Sequence, residues 1–328
     1  MISNYEKQYI EILRNIYDNG YADGTNERTG ISTKRLPNQI INVDLSKEFP
    51  ILKSKRVFAK TADREIDWIM RKQSNNIHDL KAKIWDEWAD PDGSIGKAYG
   101  YQVATPVKIY LDPIHKKPET YREYPSQVHY VLDYLKEQPN GRWAKISLWN
   151  VAELADMNLV PCCFDTTWNL DGGRLNCVLI QRSGDFPYGV PFNTTQYACL
   201  LIKFAKHLGV QPGILTHVIA DAHIYANQME GVKEQLDYYT LLTYAELSGS
   251  TKTKGTQFGR KVQKIGSTYH WTMEEVENAS DHIEKVLSCI PRYFIPLELT
   301  NFWDMDAELC KIENYIPIRE VKFGDIAV

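Results

Sequence analysis

A short stretch of the chain, residues 159–193, concentrates side chains whose types and spacing favour nucleophilic chemistry. Cys162 is a potential nucleophile at its start. Arg182 and Ser183 offer a guanidinium fork and a hydroxyl that together suit a phosphate. Asn193 can donate to and accept from an imide-like N–C=O edge at the same time. Taken alone, these residues indicate a nucleophilic enzyme acting on a phosphorylated heterocycle.

Cys162 follows a proline, and two strand-like runs joined by Asp-Gly-Gly at 171–173 predict a hairpin that returns Arg182 beside it. A guanidinium near a cysteine favours the thiolate, which adds to electron-poor double bonds. The alternative is a buried structural cysteine, the commoner use of this residue in a cytosolic protein. Cys163 is predicted to point to the opposite face of its strand, and a vicinal disulfide is the weaker alternative.

Three further residues have both a structural and a functional interpretation. Asn193 could cap the helix predicted to begin there, and this role is compatible with reading a base edge. Glu65 lies among apolar positions of a predicted helix, where a buried carboxylate needs a partner or a function; a surface-facing glutamate fits the pattern equally well. His223 has no second His or Cys at ligand spacing, so no metal site is predicted.

The composition limits the class of protein. Of 328 residues, 43% are hydrophobic and 24% charged, which is typical of a soluble globular chain. A formal net charge of −4 gives no reason to expect nucleic acid or an anionic membrane as the main partner. Six cysteines without C-x-x-C spacing favour a reducing cytoplasm over a disulfide framework. Neither a membrane-spanning run nor a signal peptide is predicted.

The apolar patterns predict the elements that must position these residues. Helices are expected at residues 5–17, 61–71, 127–137, 193–208, 230–247 and 272–287, and strands at 39–45, 142–150, 163–170, 174–181 and 215–220. Polar loops are expected at 21–38 and 248–268, and a surface excursion at 105–125. The chain has neither an internal repeat nor a long linker, so one domain over residues 1–328 is predicted.

At this point the motifs resemble a known family. PCC, then QRSGDFPYGVPFN, a long helix and DAHIYANQ are similar to the thymidylate synthase family, and NERTG, KSKR, IWDEWADPDG and a C-terminal Ala-Val extend the similarity over residues 5–328. The resemblance implies a single α/β (α+β) domain with a large mixed β-sheet flanked by helices. It also implies a symmetric homodimer in which the sheets pack back to back and the active sites are shared.

The resemblance implies a reaction as well. A cytoplasmic methyltransferase of nucleotide biosynthesis would convert dUMP to dTMP, with 5,10-methylenetetrahydrofolate giving both the one-carbon unit and a hydride, and without a metal. Cys162 would add to C6 of the uracil, which makes C5 able to attack the folate methylene.

Matched position by position, the resemblance also implies a role for each candidate residue. The phosphate would be held by Arg28, Arg182, Ser183 and, from the partner chain, Arg142; Asn193 would read the base, and His223 and Tyr225 would bond the ribose hydroxyl. The candidate catalytic residues are Cys162, Glu65, Arg182, Asn193, Asp185 and Tyr99; Glu65 would organise water and proton transfers. The candidate folate contacts are Lys55 near the glutamate end, Trp85, Trp88, Asp185 at the pterin, Gly189 and Val328, which would close over the site.

Three departures from the family pattern stand out. Cys163 occupies a position where the family often has histidine, so we expect tuning rather than loss of activity. Arg142-Trp143 replaces the usual Arg-Arg pair, which would weaken phosphate binding unless Lys145 compensates. Residues 105–125 and 248–268 are predicted to be surface insertions relative to compact members.

Two alternatives remain open at this stage. One is a dUMP or dCMP hydroxymethylase of the same fold, in which water quenches the intermediate; Asn193 speaks against a cytosine-specific version, and Trp85 and Val328 favour exclusion of water. The other is a non-catalytic nucleotide- or RNA-binding protein, against which the presence of Cys162 and Glu65 argues because binding alone needs no thiol.

Overall fold

The structure is a computed structural model that describes residues 1–25, 29–252 and 255–324. The helices within these ranges are α1 (Asn4–Asn19), α2 (Ala59–Met70), α3 (Gly100–Val103), α4 (Gln127–Glu137), α5 (Gly189–Leu208), α6 (Met229–Ser248), α7 (Gln257–Thr268) and α8 (Met273–Ser288). The strands are β1 (Tyr21–Thr25), β2 (Ser32–Asp44), β3 (Val107–Tyr110), β4 (Tyr121–Tyr124), β5 (Lys145–Ser147), β6 (Cys163–Asp171), β7 (Arg174–Gln181), β8 (Gly184–Asp185), β9 (Gln211–Tyr225), β10 (Arg292–Phe294) and β11 (Lys311–Glu313). Of the described helices, none is long and apolar enough to cross a membrane.

A seven-stranded sheet forms the centre of the molecule, in the order β1-β2-β9-β7-β6-β5, with β8 paired to β9. The pairs β7–β9 and β8–β9 are parallel, and the other pairs are antiparallel. The sheet is therefore mixed, as the family resemblance implies, and the chain is an α/β fold. Two short hairpins, β3–β4 and β10–β11, lie outside this sheet.

The two faces of the sheet differ in burial because side chains alternate along each strand. Leu179 and Ile219 face the helices and are fully buried, and Trp168 packs on Phe204 of α5 with ring centroids 4.8 Å apart. On the opposite face, residues paired across the strands are only half-buried or exposed, in the row Ile40, Val218 and Ile180. This face is apolar in part and open to a partner.

An ion cluster fastens α2 to α5. The ammonium of Lys203 lies 2.8 Å from Asp63 and 3.6 Å from Asp67, and all three side chains are at most 2% exposed. Since α2 carries Glu65 and α5 carries Asn193, this cluster sets the spacing of two candidate catalytic residues.

Most predicted elements are found with ends shifted by a few residues, and the helix at 127–137 agrees with α4. A capping box begins α8, with Thr272 and Glu275 bonded reciprocally. Gly209 ends α5 in the left-handed conformation, with φ 69°.

Some local predictions are wrong. Residues 21–38 contain β1 and the first part of β2 instead of a loop, because β2 pairs with β9 from Thr33 to Asp44 and tertiary pairing overrides the polar composition. Residues 248–268 contain α7, which buries Phe258 and Val262 on one face. The strand predicted at 142–150 is only the three residues of β5.

The excursion at 105–125 lies largely at the surface as predicted, but it is ordered as the hairpin β3–β4, with Tyr124 buried. Its character as an insertion, like that of 248–268, stays a prediction.

Candidate active site

The hairpin of β6 and β7 brings the candidate nucleophile to its arginine. Cys162 directly precedes β6 and Arg182 directly follows β7; the backbone N–H of Arg182 donates to the carbonyl of Cys162 at 2.9 Å. Gly172 and Gly173 close the turn with φ of 56° and 75°, as a tight two-residue hairpin turn requires. The predicted return of the chain is therefore confirmed.

The Arg182 guanidinium is held in a defined position beside the sulfur. Its Nε donates to the carbonyl of Pro161 at 3.0 Å, and its Nη2 donates to that of Val160 at 2.7 Å. The same Nη2 lies 3.9 Å from Sγ of Cys162. A fixed positive charge at this distance stabilises negative charge on sulfur. Cys163 is buried, burial raises the pKa of its thiol well above the usual range, and both cysteines are free thiols.

Tyr99 holds the backbone of the nucleophile. Its hydroxyl accepts a hydrogen bond from the N–H of Cys162 at 3.1 Å. Tyr99 is one of the non-glycine residues with positive φ, at 46°, a conformation that costs free energy and is kept where the surroundings enforce it. Its ring packs edge-on against Trp85, with centroids 5.0 Å apart.

Glu65 is a buried carboxylate with two donors and no cation among its hydrogen-bond partners in the described chain. The indole N–H of Trp85 donates to Oε1, and the amide of Gln196 donates to Oε2. Burial raises the pKa of Glu65 to about 7, and the two hydrogen bonds oppose that rise. Glu65 can therefore gain and lose a proton near neutral pH. Of the two interpretations of the sequence pattern, burial with a partner is confirmed.

Asn193 is bonded on both sides of its amide. Its carbonyl accepts from Nε2 of Gln181 at 3.1 Å, and its Nδ2 donates to Oε1 of Gln196 at 2.9 Å. One lone pair and one N–H remain for a ligand. The predicted N-cap role is wrong, because α5 begins at Gly189 and Asn193 lies inside the helix. Apolar spacing did not reveal the first turn, which reads Gly-Val-Pro-Phe.

Asp185 and His223 lie opposite each other in the pairing of β8 with β9. Oδ2 of Asp185 accepts from Gln228 at 2.9 Å, and Oδ1 accepts from the backbone N–H of Tyr188 at 3.3 Å. Burial raises the pKa of Asp185. The ring of His223 stands perpendicular to that of Tyr225, with centroids 5.0 Å apart.

Gly189 connects this pair to the base-reading amide. A Cβ at Gly189 would lie 3.6 Å from Oδ1 of Asn193 and 3.7 Å from Cβ of Asp185. Asn193 and Asp185 therefore flank the first residue of α5, and the predicted substrate and folate contacts meet there.

Lys55 is buried under the C-terminal segment. Its ammonium donates to the carbonyl of Pro187 and lies 4.7 Å from the ring centroid of Phe323 and 5.6 Å from that of Tyr188. Burial lowers the pKa of Lys55 to about 7, while the charge of Asp185 opposes that fall.

The two candidate tryptophans differ in exposure. Trp85 is buried and bonded to Glu65, whereas Trp88 is half-buried and stands edge-on to Trp85 at 5.6 Å. Trp85 thus orients the carboxylate, and Trp88 keeps surface for a flat ligand.

The remaining candidates are less fully defined. Ser183 is half-buried next to Arg182, and Arg142 is exposed in the segment before β5. Arg28 and Val328 lie outside the described residues. In the described ranges, no group of three or more His, Cys, Asp or Glu side chains is placed to hold a metal ion.

The sequence interpretation missed three glutamines, Gln181, Gln196 and Gln228. Gln196 had a readable signal, because it lies three residues after Asn193 and such positions share a helix face. Gln181 and Gln228 are brought in by sheet pairing and by the turn after β9, which local patterns do not reveal.

Comparison with known proteins identifies relatives of this chain. The family described as thymidylate synthase matches residues 7–328 of the chain. A thymidylate synthase of Clostridium beijerinckii is 45% identical over 238 residues, which cover 72% of this chain and 82% of that protein. The thermostable thymidylate synthase A of Bacillus subtilis superposes with a TM-score of 0.74 at 28% identity, over 99% of both chains.

Proposed function

The chain belongs to the thymidylate synthase family and is a methyltransferase, and from this premise we propose that it converts dUMP and 5,10-methylenetetrahydrofolate to dTMP and dihydrofolate. The observation that carries this proposal is the Cys162 sulfur 3.9 Å from a guanidinium that two carbonyls hold in place. No comparison favours the hydroxymethylase or the binding protein.

Addition of sulfur to the pyrimidine begins the proposed reaction. The Cys162 thiolate forms a bond to C6, and the electron pair of the C5–C6 double bond moves toward C5 and O4. Arg182 stabilises the thiolate before attack and again when it leaves. The hydroxyl of Tyr99 keeps the Cys162 backbone fixed while the bond forms and breaks.

Recognition of the base fits the bonds that Asn193 has left. Its remaining lone pair accepts from N3–H of uracil, and its remaining N–H donates to O4. The donated bond also stabilises the negative charge that develops on O4 when sulfur adds.

Glu65 suits the proton transfers. When C5 has bonded to the one-carbon unit, its proton must be removed, and a carboxylate with a pKa of about 7 is a matched base near neutral pH. Removal of that proton expels the folate nitrogen from the one-carbon unit and leaves an exocyclic methylene at C5. When hydride adds to this methylene, the electron pair returns to re-form the C5–C6 double bond and the Cys162 sulfur leaves C6. The bound folate supplies the methylene group and the hydride and leaves as dihydrofolate.

Asp185 and Trp88 each offer a group that fits a reduced pterin. Asp185 offers a carboxylate that accepts from ring N–H groups, and Trp88 offers a half-buried aromatic face. Lys55 lies buried against Tyr188 and Phe323, and because burial lowers its pKa to about 7, it is only partly charged near neutral pH.

A homodimer with shared sites is also part of the proposal. The open sheet face around Ile40, Val218 and Ile180 supports back-to-back packing of two sheets. Arg142 is exposed and free to reach a phosphate in a partner. Six free thiols suit a reducing cytoplasm, where we place the protein.

The direct test is a spectrophotometric assay for dihydrofolate with methylenetetrahydrofolate and either dUMP or dCMP. We expect absorbance to rise with dUMP and to stay flat with dCMP. Hydroxymethylated nucleotide without dihydrofolate would support the hydroxymethylase instead, and binding of dUMP without any product would support the binding protein.

A further inference from the structure

A buried glutamine joins the carboxylate to the base-reading amide. Gln196 is 3% exposed and lies one helical turn after Asn193. Its Nε2 donates to Oε2 of Glu65, and its Oε1 accepts from Nδ2 of Asn193 at 2.9 Å. We propose that Gln196 is a positioning residue that fixes the orientation of the Asn193 amide through Glu65, and thereby selects uracil over cytosine. This inference rests on the proposed function.

The ionised carboxylate imposes a direction on this chain of bonds. A carboxylate only accepts hydrogen bonds, so Gln196 must turn its NH2 group toward Glu65. Its carbonyl then faces Asn193, which must present its own NH2 group to Gln196. The carbonyl of Asn193 is left to face Gln181.

The far end of the chain agrees with the same direction. Nε2 of Gln181 donates to the backbone carbonyl of Ser183 at 2.8 Å and to Oδ1 of Asn193 at 3.1 Å, so its Oε1 faces Nε2 of His217 at 2.8 Å. His217 therefore carries its proton on Nε2 and donates it to Gln181. Burial lowers the pKa of His217 to about 3, so the ring is neutral.

Every hydrogen bond from His217 through Gln181, Asn193 and Gln196 to Glu65 thus points the same way. Reversing the Asn193 amide would set like atoms against each other at Gln196 and Gln181, and reversing Gln181 would set its carbonyl against that of Ser183. Hydrogen bonds aligned in this way strengthen one another inside a protein.

The orientation of the Asn193 amide matters because uracil and cytosine present opposite donor and acceptor patterns on the same edge. Uracil offers an acceptor at O4 and a donor at N3, whereas cytosine offers a donor at N4 and an acceptor at N3. The orientation fixed by Gln196 places the Asn193 carbonyl against N3–H and its NH2 group against O4 of uracil. With cytosine, the same orientation places acceptor against acceptor at N3 and donor against donor at N4. The preference for uracil over cytosine then follows from the buried series of hydrogen bonds and not from Asn193 alone.

At the Glu65 end of this series of hydrogen bonds, Glu65 is the group that titrates near neutral pH. Tyr99, Cys163 and Tyr197 face it from the surrounding elements, and burial raises the pKa of each well above the usual range, so all three are neutral near pH 7. Protonation of Glu65 supplies a donor and removes the requirement that Gln196 donate. Selectivity for uracil is therefore expected to fall as Glu65 is protonated.

The test measures calorimetric dissociation constants of dUMP and dCMP at pH 6 and pH 8. Wild type, Gln196→Met and Gln235→Met are compared; Gln235 is also fully buried but bonds Ser54, so it controls for loss of a buried amide. The phosphate titrates equally in both ligands and cancels in the ratio of their constants.

We expect the wild-type preference for dUMP to rise from pH 6 to pH 8. Gln196→Met should lose about tenfold of that preference, the factor that one net hydrogen bond represents, and should lose its pH dependence. Gln235→Met should keep the wild-type ratio at both pH values.

A folded Gln196→Met protein with the wild-type ratio would overturn the inference. Should that variant fail to fold, a wild-type ratio that stays constant between pH 6 and pH 8 would overturn it as well. A wild type that neither prefers dUMP nor forms dihydrofolate would overturn the proposed function itself, so the two failures are distinguishable.

Discussion

Glu65 is held in a site that disfavours its own charge, and this has a consequence for stability. Its pKa is raised from 4.5 to about 7 in the folded protein by burial. The ionised form therefore carries a free-energy cost that is absent below pH 4.5 and complete above pH 7. From the size of the shift this cost is about 3 kcal/mol.

Glu65→Gln should remove that cost. Relative to wild type, its free energy of unfolding should rise between pH 5 and pH 8 by up to about 3 kcal/mol, while catalysis is impaired. Urea unfolding of both proteins at the two pH values measures the change. A difference between the proteins that is equal at pH 5 and pH 8 would show that Glu65 does not titrate in this range.

Asn193→Asp tests base recognition at a single atom. A carboxyl group that carries a proton can match the cytosine edge, so the ratio of kcat/KM for dCMP to that for dUMP should rise by a factor of about ten or more. Steady-state kinetics with both nucleotides gives the ratio. Unchanged selectivity would remove Asn193 as the base reader.

At this scale, sequence reasoning succeeds where contacts are local. The pairing of Cys162 with Arg182 follows from hairpin geometry, which a turn at 171–173 makes readable. The bond of Gln196 to Glu65 spans 131 positions, and only the packing of α2 on α5 brings the two side chains together. That contact has no local pattern, so it could not be predicted.

The packing of α2 on α5 depends on Lys203. Lys203→Met would leave Asp63 buried without a cation, while Asp67 keeps its pair with Arg71, and should destabilise the protein by about 3–5 kcal/mol. Lys233→Met is the matched control, since its pair with Asp237 is exposed and is expected to contribute less than about 1 kcal/mol. Equal losses in urea unfolding would contradict a structural role for the buried cluster.

The sequence predicts best those helices and strands whose own residues show a clear apolar periodicity. α4 and the strands of the β6–β7 hairpin carry clear periodicity and were located closely. The beginning of β2 is polar, and only its pairing with β9 makes it a strand. α7 has few apolar residues, and packing of Phe258 and Val262 stabilises it more than its composition suggests.

The whole molecule is proposed to work as a dimer in which Arg142 acts in the partner's site. Arg142→Ala and Cys162→Ala should each be weakly active or inactive alone. Subunit exchange between equal amounts of the two should yield half mixed dimers with one intact site each, or about a quarter of wild-type activity.

Activity that stays at the level of the separate variants would contradict a contribution in trans. Trp143→Ala, at the neighbouring exposed position, provides the control. Trp143→Ala should stay active without subunit exchange, because the tryptophan side chain that it removes carries no charge to bind the phosphate.

At the scale of the molecule, the order of motifs along the chain implied the fold and the family, and the comparisons agree with both. Arg28 and Val328 lie outside the described residues, so their predicted roles at the phosphate and over the site stay predictions. The dimer depends on a surface that one chain alone leaves open.

The central claim is that sulfur of Cys162 bonds to the pyrimidine. 5-Fluoro-dUMP carries fluorine in place of the hydrogen at C5, and fluorine cannot be removed as a proton. Its complex with the enzyme and methylenetetrahydrofolate should therefore stall as a covalent adduct. Mass spectrometry of the digested protein should find this adduct on Cys162 in wild type and in Cys163→Ala, and should find none in Cys162→Ala. An adduct on Cys163, or one that persists in Cys162→Ala, would contradict the claim.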